Sequence, residues 1–288
     1  MAAPERLRVE WLPGPFGARV GGVDIAGGLS RETLKRLLAL LYANRILILS
    51  GQDIELAEYA AFGEHWGKAL LFHNAARRAG GFPTIIPVSN APARAHESKD
   101  GAAHWHSDSS YEEVPASVTM LHSIETPLTG GATLFADTVA AYVALDGETR
   151  AQIDGKDALH RMASAPRLPD ETPIDPSVDL NRFPVVTHPL VRPHPVTGER
   201  ALFVSGTAWR IPGMTDGAAR ELILRLRRHL ARPEFRQSYR AVPGDILIWD
   251  NFATVHSATR LAQSDRDGER RLLHRISTKG LPDLITSP

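Results

Sequence analysis

The sequence contains no cysteine among its 288 residues. This absence excludes disulfide bonds, thiolate metal sites and a cysteine nucleophile. His, Asp and Glu are therefore the strong metal ligands that the chain can offer. A reducing, cytoplasmic environment is expected from the same absence.

An excess of charge of either sign is also missing, because 33 Lys and Arg residues balance 33 Asp and Glu residues. A balanced chain has no overall attraction for nucleic acid or acidic lipid, so neither is an expected partner. Long apolar runs are lacking as well. No stretch approaches the roughly 18 residues that a membrane span requires, and the start "MAAPERLRVEW" has no apolar signal core. We therefore expect a soluble, intracellular protein.

The chain begins with helical patterns and then changes to short strands. "LSRETLKRLLALLYAN" places leucines on one face of a predicted helix with Ser30 as its N-cap, and the "ILIL" that follows indicates a buried strand. From residue 104 to about 210, short apolar runs are punctuated by Pro and Gly, which is typical of an antiparallel barrel or sandwich. No internal repeat or flexible linker divides the chain. Residues 1–288 are therefore predicted to form one domain, mainly β with flanking helices.

The stretch "HWHSDSS", residues 104–110, is the first candidate for chemistry. Alternate side chains share one face of a strand, so His104, His106 and Asp108 are predicted to point the same way. An isolated pattern of this kind is usually a polar strand face. However, His256 in "IWDNFATVHSATR" ends a later β segment in a fold type whose strands can return to one centre. His106, Asp108 and His256 are the candidate metal triad, because two histidines and a carboxylate on one side of an ion are typical of non-haem Fe(II) oxygenases.

A rival ligand set uses His104 together with His106 and Asp108. Same-face neighbours in a strand lie about 7 Å apart, so three in succession would be strained around one small ion. His104 is accordingly expected at the edge of the site or behind a ligand.

Two arginines in "RRLLHRIST" are candidate anion-binding residues. Arg271 and Arg275 lie four positions apart and so share a strand face with Leu273. If that face points inward, each buried guanidinium needs an anion, because an unpaired buried charge is strongly destabilising. Protein carboxylates or a solvent-facing strand would satisfy the arginines equally well. The functional alternative is a dicarboxylate cosubstrate and an acidic substrate, since guanidinium binds carboxylate through paired hydrogen bonds.

Four separated segments together resemble a known family. They are "WHSDSSYEEVPA", "TPLTGGATLFADTVAAYVAL", "HPLVRPHPVTGERALFVS" and "GDILIWDNFATVHSATR" continuing to "RRLLHR". In order, spacing and residue type they are similar to the Fe(II)/2-oxoglutarate enzymes of the taurine dioxygenase and 2,4-dichlorophenoxyacetate dioxygenase (TauD/TfdA) family. Weaker similarity extends from "FGARVGGVDIAGGLS" to "FGEHWG". The resemblance implies a double-stranded β-helix, the cupin-like jelly roll, as the core.

The resemblance also implies roles for individual residues. The candidate triad would bind Fe(II). Thr133 would hydrogen-bond the distal carboxylate of 2-oxoglutarate, with Arg271 as its ion-pair partner, and Arg275 would face the anionic group of the substrate. The "WDN" that ends at Asn251 is expected to supply packing and the turn before the last metal ligand.

Further substrate contacts follow from the same resemblance. "HSDSSY" resembles the herbicide-degrading branch of the family, which implies that Ser109 and Tyr111 contact the substrate. In the family a side chain near the N-terminus supplies another anion contact. Lys68 and His73 are the candidates in this chain, and His73 is preferred.

The implied reaction consumes O2 and 2-oxoglutarate at Fe(II), releases succinate and CO2, and hydroxylates a C–H bond of a small organic carboxylate or sulfonate. If the attacked carbon carries a sulfonate, amine or aryl ether, the product can collapse to an aldehyde or ketone. Two other classes stay open. A cupin-like isomerase or hydrolase with zinc or manganese would leave Thr133 and both arginines unused, and a catalytically silent jelly-roll binding module would leave the triad unused as well. The oligomeric state is open, with a homo-oligomer among the alternatives.

Overall fold

The computed structural model describes residues 7–71, 78–92, 102–176 and 178–286. The elements up to the middle of the chain are β1 (Arg8–Trp11), β2 (Ala18–Gly21), α1 (Arg31–Asn44), β3 (Ile46–Leu49), α2 (Leu56–Glu64), β4 (Lys68–Ala69), β5 (Ile86–Ser89), β6 (Val118–Glu125), β7 (Thr133–Asp137), α3 (Thr138–Val143) and α4 (Gly147–Ile153). They are followed by β8 (Asp157–His160), β9 (Val186–Pro189), β10 (Val191–Pro193), β11 (Arg200–Leu202), β12 (Ala208–Arg210), α5 (Asp216–Leu230), β13 (Arg236–Tyr239), β14 (Ile246–Asp250), β15 (Thr254–Ala258), β16 (Leu272–Lys279) and α6 (Asp283–Thr286). The predicted class, mainly β with flanking helices, is confirmed.

One wall of the fold is an eight-stranded sheet, here called the major sheet. Its strands follow the order β1-β2-β3-β14-β6-β16-β4, and β5 also pairs with β16. At its centre β14 lies antiparallel to β3 and β6, and β6 lies antiparallel to β16. Strands β3 ("ILIL") and β14 ("ILIWD") are buried along their whole length. Continuous apolar runs of this kind are expected where both faces of a sheet are covered.

The opposite wall is a three-stranded minor sheet in the order β13-β7-β15. Phe135 and Tyr239 on the minor sheet share an apolar cluster with Leu121, Trp249 and Leu273 on the major sheet. The rings of Phe135 and Trp249 meet edge to face with centroids 5.5 Å apart. The strand orders are open paths, so these two sheets form a sandwich and not a closed barrel. The described residues also form a three-stranded sheet, β12-β8-β9, and the pair β10-β11.

Helices cover the outer faces of both sheets. In α1 the oxygen of Ser30 accepts a hydrogen bond from the Thr33 amide, which confirms the predicted N-cap. The buried face of α1 and residues of α2 pack in one cluster with β14 and β16 of the major sheet. Helix α5 packs in another cluster with Ala136 and Val255 of the minor sheet. In the described part of the chain, no helix has the length and apolar character needed to cross a membrane.

Candidate active site

The two predicted histidines and the predicted aspartate converge between the sheets. The ligating atoms of His106, Asp108 and His256 all lie within 4.8 Å of one another. The two imidazole rings have centroids 4.2 Å apart, and Asp108 Oδ2 lies 3.7 Å from His256 Nε2. These separations suit three bonds of about 2 Å to one divalent ion. Two histidines and one carboxylate are the ligand set of the facial triad.

Backbone pairing brings the two histidines together. His256 lies in the middle of β15, and His106 is joined to it by an isolated antiparallel bridge. Asp108 reaches the same place by a different route. The prediction of one strand through residues 104–108 is wrong, because the chain turns directly after His106, with Ser110 N bonded to the carbonyl of Ser107. The turn, and not strand alternation, carries the carboxylate to the histidines.

The protonation states of the three side chains favour cation binding. Burial lowers the pKa of His256 to about 3 and also lowers the pKa of His106. Burial alone would raise the pKa of Asp108, but His256 and Arg275 stabilise the carboxylate and lower its pKa to about 2. At neutral pH the group is therefore two neutral imidazoles and one carboxylate, the forms that coordinate a metal.

His104 lies behind His106 and is not part of the group of three. Its ring stacks on that of His106 with centroids 4.7 Å apart, and its carbonyl oxygen lies 2.7 Å from His106 Nδ1. A donated Nδ1–H fixes the tautomer in which Nε2 of His106 is free to bind a metal. Gly206 packs so closely that an added Cβ would lie 2.6 Å from His104 Cδ2. The expectation that His104 lies beside the ligands agrees with this position.

Asp108 is held by two residues that sequence reasoning did not assign to it. Thr119, on β6, donates a hydrogen bond of 2.7 Å to Asp108 Oδ2. Asn251 accepts a hydrogen bond from the Asp108 amide through its Oδ1 atom, at 3.3 Å. Asn251 was expected only to shape a turn, and Thr119 lies in the apolar strand "VTMLHSIE", where no local pattern marks it.

The rest of the "WDN" segment does what was expected of it. Trp249 is 1 % exposed and its ring lies 4.7 Å from that of His256, so it packs against a ligand. Asp250 Oδ1 accepts from the amide of Phe252, which stabilises the turn. Its other oxygen, Oδ2, lies 2.7 Å from Nε2 of the fully buried His194. This contact ties the turn to the hairpin formed by β10 and β11.

Arg271 and Thr133 lie at the same end of the sandwich. Thr133 begins β7, is 8 % exposed and pairs with Ala258, two positions after the ligand His256. Gly131 packs beside Arg271, because a Cβ added to it would lie 3.7 Å from Arg271 Cδ. The arginine is partly buried, and burial alone lowers its pKa. Among the described residues its Nε atom has no hydrogen-bond partner.

Arg275 points to the candidate metal triad. Its Nη1 atom lies 3.6 Å from Asp108 Oδ1, with about a quarter of the side chain exposed. Leu273, between the two arginines, belongs to the cluster that joins the sheets, so the shared face points inward as predicted. The carboxylate that Arg275 contacts belongs to Asp108, a candidate metal ligand. A pairing with a protein carboxylate was one of the alternatives left open by the sequence.

The remaining substrate candidates differ in position. Tyr111 packs on Phe183 with ring centroids 4.7 Å apart and shares a hydrogen bond with the Ser109 side chain. Burial is the main cause that raises the pKa of Tyr111 to about 12. Ser109 adopts a left-handed backbone with φ 53°, in the turn directly after Asp108. Lys68 is exposed on the edge strand β4, and His73 lies outside the described residues.

Comparison with known proteins gives a consistent result. Residues 8–277 match the family model described as "Taurine catabolism dioxygenase TauD, TfdA family". The chain is 28 % identical over 268 residues to an alpha-ketoglutarate-dependent 2,4-dichlorophenoxyacetate dioxygenase of Cupriavidus pinatubonensis, covering 89 % of this chain and 93 % of the relative. It is 29 % identical over 290 residues to an alpha-ketoglutarate-dependent sulfate ester dioxygenase of Pseudomonas putida, covering 96 % and 92 %.

Solved structures agree with the sequence matches. A taurine dioxygenase from Burkholderia xenovorans superposes with a TM-score of 0.79 at 29 % identity, over 96 % of this chain and 92 % of the other. The protein AAD-2, solved in complex with Mn(II) and N-oxalylglycine, gives a TM-score of 0.78 at 28 % identity, over 96 % and 98 %. The expected jelly-roll core is thus shared with proteins of this kind.

Proposed function

Because the chain belongs to the TauD/TfdA family, we propose that this non-haem iron, 2-oxoglutarate-dependent dioxygenase hydroxylates a C–H bond of a small organic carboxylate or sulfonate. If the hydroxylated carbon also carries a leaving group, the product would lose that group and become an aldehyde or ketone. Relatives are named for 2,4-dichlorophenoxyacetate, sulfate esters and sulfonates, which are anionic compounds. Our proposal includes a single domain over residues 1–288 and a cytoplasmic location.

In this proposal His106, Asp108 and His256 hold Fe(II). Their donor atoms are close enough together for one ion, and their protonation states need no change before binding. The bound metal supplies the oxidant by activating O2 at the expense of 2-oxoglutarate. The protein binds and orients the two organic acids, and the apolar cluster around Trp249 excludes water from one side of the ligands.

Arg271 and Thr133 would bind the distal carboxylate of 2-oxoglutarate. The partly buried guanidinium of Arg271 would be stabilised by an anion, because burial disfavours its charge and its Nε atom has no partner in the described residues. A carboxylate would supply the missing acceptor through charge-assisted hydrogen bonds. Thr133, at the start of the strand beside β15, would add a neutral hydrogen bond.

The balance of charge supports an anionic substrate. The carboxylate of Asp108 neutralises Arg275, which lies beside it. A divalent metal and Arg271 would then bring three positive charges and 2-oxoglutarate two negative ones, and the charge of Arg167 also acts on His106. An anion would reduce this positive excess, because a buried charge without a partner is costly. Arg275 is the residue placed to meet that anion, with Ser109, Tyr111 and His73 proposed as further substrate contacts.

The observation that carries the proposal is the convergence of the triad with Arg275 beside it. The test is release of succinate from 2-oxoglutarate by the Fe(II)-loaded protein, measured with pairs of organic acids and their methyl esters or amides. We expect acids to stimulate succinate release and their neutral partners to fail. Absence of succinate under all conditions would favour an isomerase, a hydrolase or a silent binding module. Equal stimulation by neutral partners would contradict the anionic substrate.

A further inference from the structure

A chain of buried hydrogen bonds ends on one particular oxygen of the aspartate ligand. Asn251 Nδ2 donates to Thr119 Oγ1 at 2.9 Å, and Thr119 donates in turn to Asp108 Oδ2. Asn251 and Thr119 are 1 % and 0 % exposed, so water does not compete for these bonds. Oδ2 is also the oxygen that faces His256. The chain therefore reaches the side of the carboxylate on which a metal would bind.

The direction of the hydroxyl proton follows from its neighbours. Thr119 Oγ1 lies within hydrogen-bond distance of both Asp108 Oδ2, at 2.7 Å, and Ser277 Oγ, at 3.0 Å. A hydroxyl has one proton to donate, and a charged acceptor at the shorter distance is the stronger one. Asn251 donates to Thr119 Oγ1, so this oxygen acts as an acceptor towards Asn251 and donates its own proton elsewhere. The carboxylate of Asp108 is the stronger acceptor and receives that proton.

Asn251 also contacts the segments that carry two different ligands. Its Oδ1 atom accepts from the Asp108 amide and from Nε1 of Trp249, the latter at 3.2 Å. The indole ring of Trp249 packs on His256. One buried amide thus links the backbone of the aspartate, its carboxylate through Thr119, and the aromatic wall behind a histidine.

A competing attraction acts on the other oxygen of Asp108. Arg275 Nη1 lies 3.6 Å from Oδ1 and pulls the carboxylate towards the substrate side. We propose that Asn251 and Thr119 are positioning residues that hold Oδ2 of Asp108 on the metal side against the pull of Arg275. This inference rests on the metal site of the proposed function. It predicts that loss of the Thr119 hydroxyl frees the carboxylate to turn towards Arg275.

The test is Mn(II) affinity of the iron-free protein, measured by electron paramagnetic resonance of the unbound ion. Thr119→Val removes the hydroxyl at nearly constant shape and should weaken Mn(II) binding by about 10- to 100-fold, the usual effect of losing a partner behind a metal ligand. Thr119→Ser keeps the hydroxyl and should stay within about threefold of the parent protein, since it preserves the hydrogen bond to Asp108. Should the valine variant not fold, Thr119→Ala gives the same comparison.

A matched control separates positioning from general destabilisation. Thr278 is equally buried on the neighbouring strand. Its hydroxyl donates to the carbonyl of Trp66, with the Val118 carbonyl and Ser117 Oγ also within reach, and contacts none of the three candidate ligands. Thr278→Val should therefore lower the unfolding temperature of the metal-free protein without changing Mn(II) affinity. Unchanged affinity in Thr119→Val, or an equal loss in Thr278→Val, would overturn the positioning role. A parent protein that bound no Mn(II) would instead refute the metal site itself.

Charge removal at Arg275 supplies a second measurement. If Arg275 draws the freed carboxylate away, adding Arg275→Gln to Thr119→Val should restore part of the lost Mn(II) affinity. Loss of the Arg275 charge raises Mn(II) affinity by itself, so Arg275→Gln is measured in both backgrounds. The competition predicts a larger gain in Thr119→Val than in the parent protein, which is a coupling that a purely structural defect would not produce. An equal gain in both backgrounds would contradict the competition between Thr119 and Arg275.

Discussion

His106 and His256 exchange both hydrogen bonds of an antiparallel pair: each amide donates to the other residue's carbonyl, at 2.9 and 2.8 Å. The two imidazoles are therefore brought together by backbone atoms and not by their side chains. A substitution at either position leaves the bridge in place, because the bonds do not depend on the ring. Loss of a ligand side chain should consequently affect metal binding far more than folding.

The first prediction concerns the triad. His256→Ala, and equally His106→Ala or Asp108→Ala, should abolish Fe(II) binding at micromolar metal and leave the circular dichroism spectrum unchanged. His104→Ala is the matched control, since the bond to His106 Nδ1 comes from the carbonyl of residue 104 and survives the substitution. We expect this control to bind iron. Normal turnover in His256→Ala would show that the metal lies elsewhere.

The second prediction concerns the cosubstrate. Arg271→Ala should raise the 2-oxoglutarate concentration needed for half-maximal succinate release by about 100-fold, because it removes a charge-assisted pair and leaves a carboxylate buried without it. Thr133→Ala removes a neutral hydrogen bond and should raise the requirement by about tenfold or less. Steady-state kinetics at fixed Fe(II) measures both. Small and equal effects would indicate that Arg271 does not meet 2-oxoglutarate.

The third prediction concerns stability near the ligand segment. Arg227 and Glu171 form an ion pair that is almost fully buried, and the Glu171 carboxylate also accepts from the amide of Trp105. Glu171→Gln should lower the free energy of unfolding by about 3 to 5 kcal/mol, the usual cost of leaving a buried charge unpaired. Urea denaturation of the metal-free protein measures the loss.

The exposed ion pair between Arg232 and Glu234 provides the control for this prediction. Both side chains are about half exposed. Glu234→Gln should therefore cost less than about 1 kcal/mol, as is usual for surface pairs. Similar losses of unfolding free energy in Glu171→Gln and Glu234→Gln would mean that burial does not increase the contribution of the Arg227–Glu171 pair to stability.

Local patterns were sufficient to predict much of the scaffold and the ligand types. The cap at Ser30 and the buried strand β3 depend on neighbours in sequence, and the structure has both. The triad was accessible because His, Asp and Glu are the ligands left in a chain without cysteine. His256 was selected because it lies in a later β segment of a fold type whose strands can return to one centre, and the resemblance to a family then implied the same triad.

Other features depend on contacts that no local pattern contains. Arg227 stands in the basic run "RLRRHL", which is typical of an exposed helix face, yet it is 1 % exposed because its partner Glu171 comes from a distant loop. In sequence Thr119 is an ordinary strand residue. Its hydrogen bond to Asp108 depends on the packing of β6 beside the turn that carries the carboxylate. The turn itself replaced the predicted strand because its stabilising hydrogen bonds run between residues 107 and 112.

The last prediction assigns the class of substrate to one side chain. Arg275→Gln keeps the approximate size and hydrogen-bonding ability of the residue but removes its charge. Substrate binding should weaken by about 2 to 4 kcal/mol, as is typical when a buried charge pair is broken, while 2-oxoglutarate affinity should change much less. Arg270→Gln is the neighbouring control, because Arg270 pairs with Glu125 at the surface. The measurement is the concentration of organic acid needed for half-maximal succinate release. If Arg275→Gln turned over the acid normally, or if an ester served the parent protein as well as the acid, the anionic substrate would be refuted while the dioxygenase activity would stand.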